Sequence, residues 1–139
     1  MKINVIDASN YFKGLLLLIG KDRKITDPEI ALVQRIGKAF GFEKVFCDNA
    51  IRDILENKFI LNVPPEFSKK DLAKKFIKDG LTLAASDNEI HPSEEERLLS
   101  VAERNGLDVQ WFYEERRSRE KGGDLNGVLE VDGLTVEYL

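Results

Sequence analysis

The residues of this chain best suited to chemistry are four carboxylates in two matching settings. Asp22-Arg23-Lys24-Ile25-Thr26-Asp27-Pro28-Glu29 and Asp87-Asn88-Glu89-Ile90-His91-Pro92-Ser93-Glu94 lie 65 positions apart, and each reads Asp, two residues, Ile, three residues, Glu. Carboxylate oxygens suit hard divalent cations such as Ca²⁺ or Mg²⁺. Asp22, Glu29, Asp87 and Glu94 are therefore the candidate metal ligands, above all if an internal twofold brings the two copies together. The spacing matches the last eight positions of a twelve-residue calcium loop, in which a ligand, a turn residue and an apolar residue precede a terminal Glu. The first half of such a loop is missing. Leu18 and Gly20 in one copy, and Leu83 and Ala85 in the other, stand where two further oxygen ligands belong, and Arg23 and Asn88 replace the glycine of the sharp turn. A standard EF-hand is excluded in both copies.

The same residues have a structural use. Thr26 and Glu29 fit the capping box, in which a Glu at the third helical position bonds back to the amide of the cap residue. Pro92 after His91 suits a first helical position, and Glu94 is again third. Negative charge there complements the helix dipole by about 0.3–1 kcal/mol. Asp22 and Asp87 can accept bonds from turn amides. Cation binding and helix capping thus stand as two readings of one element. His91 is the only histidine, which rules out a His-His zinc motif and most histidine-based triads assembled within the chain. It reads as a helix cap, or as a ligand supplementing Asp87 and Glu94. No Gly-rich phosphate loop follows a strand and no nucleophile sits in an activation motif, so no enzymatic activity is expected.

The elements that must position these residues are helical. A first helix, capped by Ser9 or Asn10, runs to about Gly20, and its segment Leu15-Leu16-Leu17-Leu18-Ile19 is apolar on every side, as in the middle of a bundle. A second starts near Thr26, carries Ile30, Val33, Ile36, Gly37 and Phe40 at helical spacing, and stops at Gly41. A third, from about Glu43 to Asn57, is expected to bury Val45, Phe46, Ala50, Ile51, Ile54 and Leu55. Pro64-Pro65 interrupts the pattern. Ser68 and Asp71 resemble a capping box opening a fourth helix to about Ala85, whose Lys69, Lys70, Lys74, Lys75 and Lys78 read as a solvated face, or as a surface for an acidic partner or an anionic lipid surface. A fifth follows His91 and ends at Asn105-Gly106. Asp108 caps a sixth, in which Trp111, Phe112 and Tyr113 form a core anchor with one exposed edge, or a binding patch. Its charged continuation through Lys121 leaves the core and ends at Gly122-Gly123. In the tail, alternating apolar residues flank Asp132-Gly133, a β-hairpin signal. Such a hairpin is marginal alone. It must pack on the helices, pair with the segment from Ile3 to Ile6, or pair with a second copy of the chain as a homodimer.

Adding 65 to positions 11–57 superposes them on 76–122 without a gap. Lys13/Lys78, Leu16/Leu81, Leu18/Leu83, Asp22/Asp87, Ile25/Ile90, Glu29/Glu94, Gly41/Gly106 and Arg52/Arg117 are then identical pairs. Tyr11/Phe76, Ile36/Val101, Phe42/Leu107 and Phe46/Trp111 are similar ones. The expected fold is an all-α helical bundle built from two pseudo-twofold three-helix repeats, about 11–57 and 68–122, joined by a linker at 58–67 and followed by the tail hairpin at 127–139. All of this fits one domain spanning residues 1–139.

Composition narrows the function further. The 21 Lys+Arg and 25 Asp+Glu give a net charge of −4, which argues against a nucleic-acid binder. Cys47 is the single cysteine, so no internal disulfide forms, and a buried thiol in a reducing cytoplasm is expected. The apolar run at Leu15 to Ile19 is far below the roughly 20 residues that span a bilayer, so no stable membrane insertion is expected. The N-terminus lacks the apolar region of a signal peptide. A cytoplasmic protein acting on a protein partner fits these features.

The duplicated helix, Asp-x-x-Ile-x-x-x-Glu, helix pattern, with Gly41 and Gly106 closing the paired helices, resembles the TerB-like tellurite-resistance family. The same helical domain occurs in the N-terminal region of certain membrane-anchored DnaJ-type co-chaperones. The resemblance covers roughly residues 10–121. It implies a bacterial, all-helical domain of tellurite or general stress response, with a divalent metal held through the acidic positions, which map here onto Asp22, Glu29, Asp87 and Glu94. Family members commonly carry Gly directly after the Asp, where this chain has Arg23 and Asn88. Arg23 puts a positive charge beside the first acidic pair, which makes the second copy the better cation candidate.

Overall fold

Helix α1 (Val5–Ile19) starts earlier than expected. Its cap is Asn4, whose side-chain oxygen accepts a bond from the Asp7 amide at 2.7 Å, and Ser9 and Asn10 lie inside the helix. Asn and Ser compete as caps on nearly equal terms, and the Asn that ends the preceding strand takes the role. The computed structural model describes residues 1–20, 25–56, 63–85, 90–119 and 129–138. Its elements in chain order are β1 (Lys2–Asn4), α1, α2 (Asp27–Ala39), α3 (Lys44–Glu56), α4 (Lys70–Ala84), α5 (Pro92–Arg104), α6 (Val109–Ser118) and β2 (Thr135–Glu137), with a 3₁₀ turn at Glu130–Gly133 before β2. The fold class is all-α, as the helical periodicities require. Among the described residues no helix is long and apolar enough to cross a membrane.

The chain divides into two compact units, Met1–Val63 with Val131–Leu139, and Pro64–Glu130. In the first, α1 packs on α2 and α3, and α2 packs on α3. In the second, α4 packs on α5, and α5 on α6. Each unit therefore carries three helices in the same order, as the duplication predicts. The paired positions Tyr11 and Phe76, Leu16 and Leu81, Leu18 and Leu83, and Ile36 and Val101 are all buried. Both middle helices end identically. Gly41 and Gly106 adopt φ of +78° and +68°, and the next residue donates back five positions, Phe42 to the Gly37 carbonyl at 2.8 Å and Leu107 to the Ala102 carbonyl at 2.9 Å. This is the Schellman arrangement, which favours a residue without a Cβ at the left-handed position.

Three further expectations are corrected. Val45 is 67% and Phe46 44% exposed, because Cys47, Ile51 and Ile54 form the buried stripe of α3. At 100° per residue that stripe turns the two preceding side chains outward. Helix α4 takes Lys69 as its cap, without a side-chain capping bond, rather than Ser68. Finally, Asp132-Gly133 closes a 3₁₀ turn instead of a hairpin, and β2 pairs in parallel with β1, Ile3 opposite Val136. The tail thus supplies a strand to the N-terminal segment, one of the three fates open to it. Residues 120–128, including Gly122-Gly123, lie outside the described residues. Arg35 to Asp132 at 2.6 Å, the N-terminal ammonium to the Gly133 carbonyl at 2.9 Å, and the Tyr138 hydroxyl donating to the Phe40 carbonyl fasten the tail.

In the second unit Asn105, 9% exposed, holds the linker. Its side chain accepts from the Phe67 amide at 2.8 Å and donates to the carbonyls of Pro65 at 2.9 Å and Val101 at 2.8 Å. Phe67 is thereby set against Phe76, with ring centroids 5.3 Å apart.

Candidate functional site

Of the four candidate ligands, Asp22 and Asp87 lie outside the described residues, and Glu29 and Glu94 are each placed by the helix they begin. Thr26 caps α2: the Glu29 amide donates to Thr26 Oγ1 at 3.3 Å, while Glu29 Oε1 accepts from the Thr26 amide at 3.0 Å and from the Thr26 hydroxyl at 2.8 Å. The capping box is closed. The expectation of a box from Thr26 and Glu29 is met bond for bond, with Pro28 inside the first turn.

The second copy repeats the motif with different chemistry at the cap. His91 occupies the N-cap position of α5 and Pro92 the first helical one. Glu94 Oε1 accepts from the His91 amide at 3.3 Å, and the Glu94 amide donates to the His91 carbonyl at 3.0 Å. One turn further on, Arg97 places a guanidinium within electrostatic reach of Glu94. Burial pushes that guanidinium below its ordinary range, and the Glu94 carboxylate opposes the shift. Position 32, the matching site of the first copy, holds Leu, so Arg97 gives the second turn a cation that periodicity arguments overlook.

Both glutamates therefore spend an oxygen on amides that their own helix leaves unpaired. Among the described residues, no group of three or more His, Cys, Asp or Glu side chains is arranged to hold a metal ion.

The basic face of α4 is more engaged than a solvated face. Lys75 and Lys78 pair with Glu130 at 3.3 and 3.7 Å, and Lys74 stands 5.4 Å from the Trp111 ring centroid. The Glu130 amide donates to Asp79, which is 2% exposed, at 2.8 Å. An acidic partner for this face thus comes partly from the chain itself. Phe112 is the buried anchor of α6 and Tyr113 its exposed neighbour, as the Trp111-Phe112-Tyr113 run predicts.

A surface feature that the apolar pattern misassigned lies between α2 and α3. A cavity of about 240 Å³ there is lined by Gln34, Lys38, Phe42, Lys44 and Cys47. Phe46 does not line it but packs beside Phe42 and Phe12, with ring centroids 5.3 and 6.0 Å away. Helices α2 and α3 approach closely because position 37 is glycine: a Cβ there would fall 2.3 Å from Cys47 Sγ. Burial, helped by the charge of Asp48, pushes the Cys47 thiol above its ordinary range, so it is a poor nucleophile at neutral pH. The signal for the exposure of Val45 and Phe46 was present in the sequence, since the 47, 51, 54 stripe leaves 45 and 46 outside it. Compared with protein-family models, with curated proteins and with solved structures, the chain matches none.

Proposed function

We propose that this chain is a non-catalytic helical protein-interaction module in which the duplicated acidic turns serve as helix caps. The observation that carries this reading is the commitment of Glu29 and Glu94, through matching bonds at 3.0 and 3.3 Å, to the amides at the starts of α2 and α5. A carboxylate already holding its helix start loses that bond, or shares it, on turning to a cation. The solvent-facing Val45 and Phe46 then supply surface for a partner. Calorimetric titration with Ca²⁺, Mg²⁺, Mn²⁺ and Zn²⁺ tests the capping half of the reading: the absence of a binding heat supports it. A heat abolished in Asp87→Asn/Glu94→Gln contradicts it.

A second reading draws on the matched ends of α2 and α5. Gly41 and Gly106 at positive φ, with Glu29 and Glu94 at equivalent third positions, support the duplicated pattern on which the TerB-like resemblance rests. In that reading the chain is a cytoplasmic, bacterial stress-response domain of the tellurite-resistance type, and Asp22, Glu29, Asp87 and Glu94 bind a divalent cation. The same titration decides between the two, and growth of a deletion strain on tellurite tests the stress role.

A further inference from the structure

We propose that the outer edge of β2 pairs with the same edge of a second copy of the chain, antiparallel about Val136, so that two two-stranded sheets join into one of four strands. This goes beyond the interaction-module reading and uses a surface that shares no residue with Val45 and Phe46. Three observations point to a second copy. First, the backbone groups on that edge are self-complementary. The Thr135 amide donates to the Met1 carbonyl at 2.9 Å, and Ile3 lies opposite Val136. In a parallel ladder alternate residues of a strand face the neighbour, so Thr135 and Glu137 turn their amides and carbonyls toward β1. Each peptide unit here is trans and planar, so its C=O and N–H point opposite ways. The Leu134 carbonyl, the Val136 amide and carbonyl, and the Tyr138 amide therefore face away from β1, and among the described residues these four groups take no hydrogen bond. A twofold axis at Val136 satisfies all four. The two Val136 residues exchange both their bonds, as a hydrogen-bonded antiparallel pair does, and the Tyr138 amide reaches the carbonyl of the partner's Leu134.

Second, the side chains agree with that register. Thr135 falls opposite the partner's Glu137, a hydroxyl facing a carboxylate, and Leu134 falls opposite the partner's Tyr138. No like charges stand directly opposite each other, and Glu137 already has Lys2 at 3.9 Å as a counterion in its own chain. Thr135 and Glu137 are exposed and Val136 is half-buried, so solvent reaches the strand. It has no proline, the residue that most simply blunts an edge. Third, β2 is fixed before it pairs. The ion pair of Arg35 with Asp132 at 2.6 Å holds the turn before it, and the Tyr138 hydroxyl on the Phe40 carbonyl holds the residue after it. A strand ordered in advance loses less entropy on pairing. Any extended strand offers the backbone groups; the side-chain register is what favours β2 itself.

The test is sedimentation velocity of the full chain over a concentration series reaching high concentration, since so few backbone bonds make a weak dimer. The expected result is a reversible equilibrium between monomer and dimer. Val136→Pro removes an amide that points outward and leaves the β1 ladder its bonds, and should weaken dimerisation ~10-fold or more. Thr135→Glu sets like charges opposite each other at two symmetric places and should weaken it, whereas Thr135→Lys sets opposite charges there and should tighten it, each by about 2- to 30-fold. Lys2, opposite position 135 within the chain, acts alike in monomer and dimer. Thermal melts check each variant, and if Val136→Pro does not fold, the opposed effects of the two exposed Thr135 variants decide the matter, because a merely destabilised chain gives no such reversal. A chain that stays monomeric at the highest concentration reached, or a dimer that all three variants leave unchanged, overturns the edge pairing while leaving the interaction-module reading standing. Equal weakening by Thr135→Glu and Thr135→Lys also overturns it, and so does growth of the wild type beyond a dimer.

Discussion

Replacing Asn105 with Ala should destabilise the second unit by about 2–3 kcal/mol, because three side-chain hydrogen bonds vanish at a site only 9% exposed and each is worth about 0.5–1.5 kcal/mol. The three are not equal. The Val101 carbonyl also accepts from the Asn105 amide at 3.1 Å, so it stays paired and contributes least. The Phe67 amide contributes most, since its bond to Asn105 is buried and its loss loosens the Phe67 ring from Phe76. Asn105→Asp keeps an acceptor for Phe67 but sets a carboxylate against two carbonyls, so it should not restore stability. At φ of −95° the backbone at 105 imposes no glycine-like demand, so the effect belongs to the side chain. Urea unfolding followed by far-UV circular dichroism measures it. With a slope of about 1–3 kcal/mol per molar urea, the midpoint should fall by about 1–2 M at unchanged slope. A loss below about 0.5 kcal/mol would refute the clasp.

Other perturbations test other parts of the structure. Gly37→Ala gains up to about 1 kcal/mol of helix propensity but drives a Cβ to 2.3 Å from Cys47 Sγ, an overpacking costing about 1–3 kcal/mol. Thermal melts should show a net loss that Cys47→Ala removes in the double variant, and additive single effects would contradict the clash. Because the folded thiol of Cys47 titrates above its unfolded value, the folded state holds its proton longer. The stability this provides is complete below the unfolded thiol pKa, about 8.5, and is lost as pH rises from there through the folded value. Cys47→Ala should flatten that alkaline decline, and alkylation of native Cys47 at neutral pH should be slow until denaturant is added. Thr26→Ala should cost about 1 kcal/mol, measured by urea unfolding, since it removes the oxygen that accepts from the Glu29 amide.

The periodicity made the helices legible because each packs one apolar stripe, and the repeat made their pairing legible because Gly41 and Gly106 have the same backbone task. Where competing signals were close in energy, sequence reading failed. Asn4 displaced Ser9 and Asn10 as a cap, and Lys69 took a place that Ser68 could have filled. Tail pairing was hidden for another reason: Asp-Gly suits a 3₁₀ turn as well as a hairpin, and the parallel partner of β2 is more than a hundred positions away in sequence. Of the candidate site, the capping role of Glu29 and Glu94 was legible from spacing alone. The exposure of Val45 and Phe46 was misread although its signal was present, because both count as core residues until the buried stripe of α3 is phased.

The central claim is that Glu29 and Glu94 are caps, and unfolding of wild type and Glu29→Gln/Glu94→Gln, each in chelator and in excess Ca²⁺ or Mg²⁺, tests it most directly. Glutamine still serves a capping box, so the double variant should lose only the dipole contribution of about 0.3–1 kcal/mol per site. Neither protein should then respond to metal. A wild type stabilised by about 2.7 kcal/mol at a hundredfold excess of cation over its dissociation constant, beside a double variant that gains nothing, would contradict the account and make the duplicated turns a cation site.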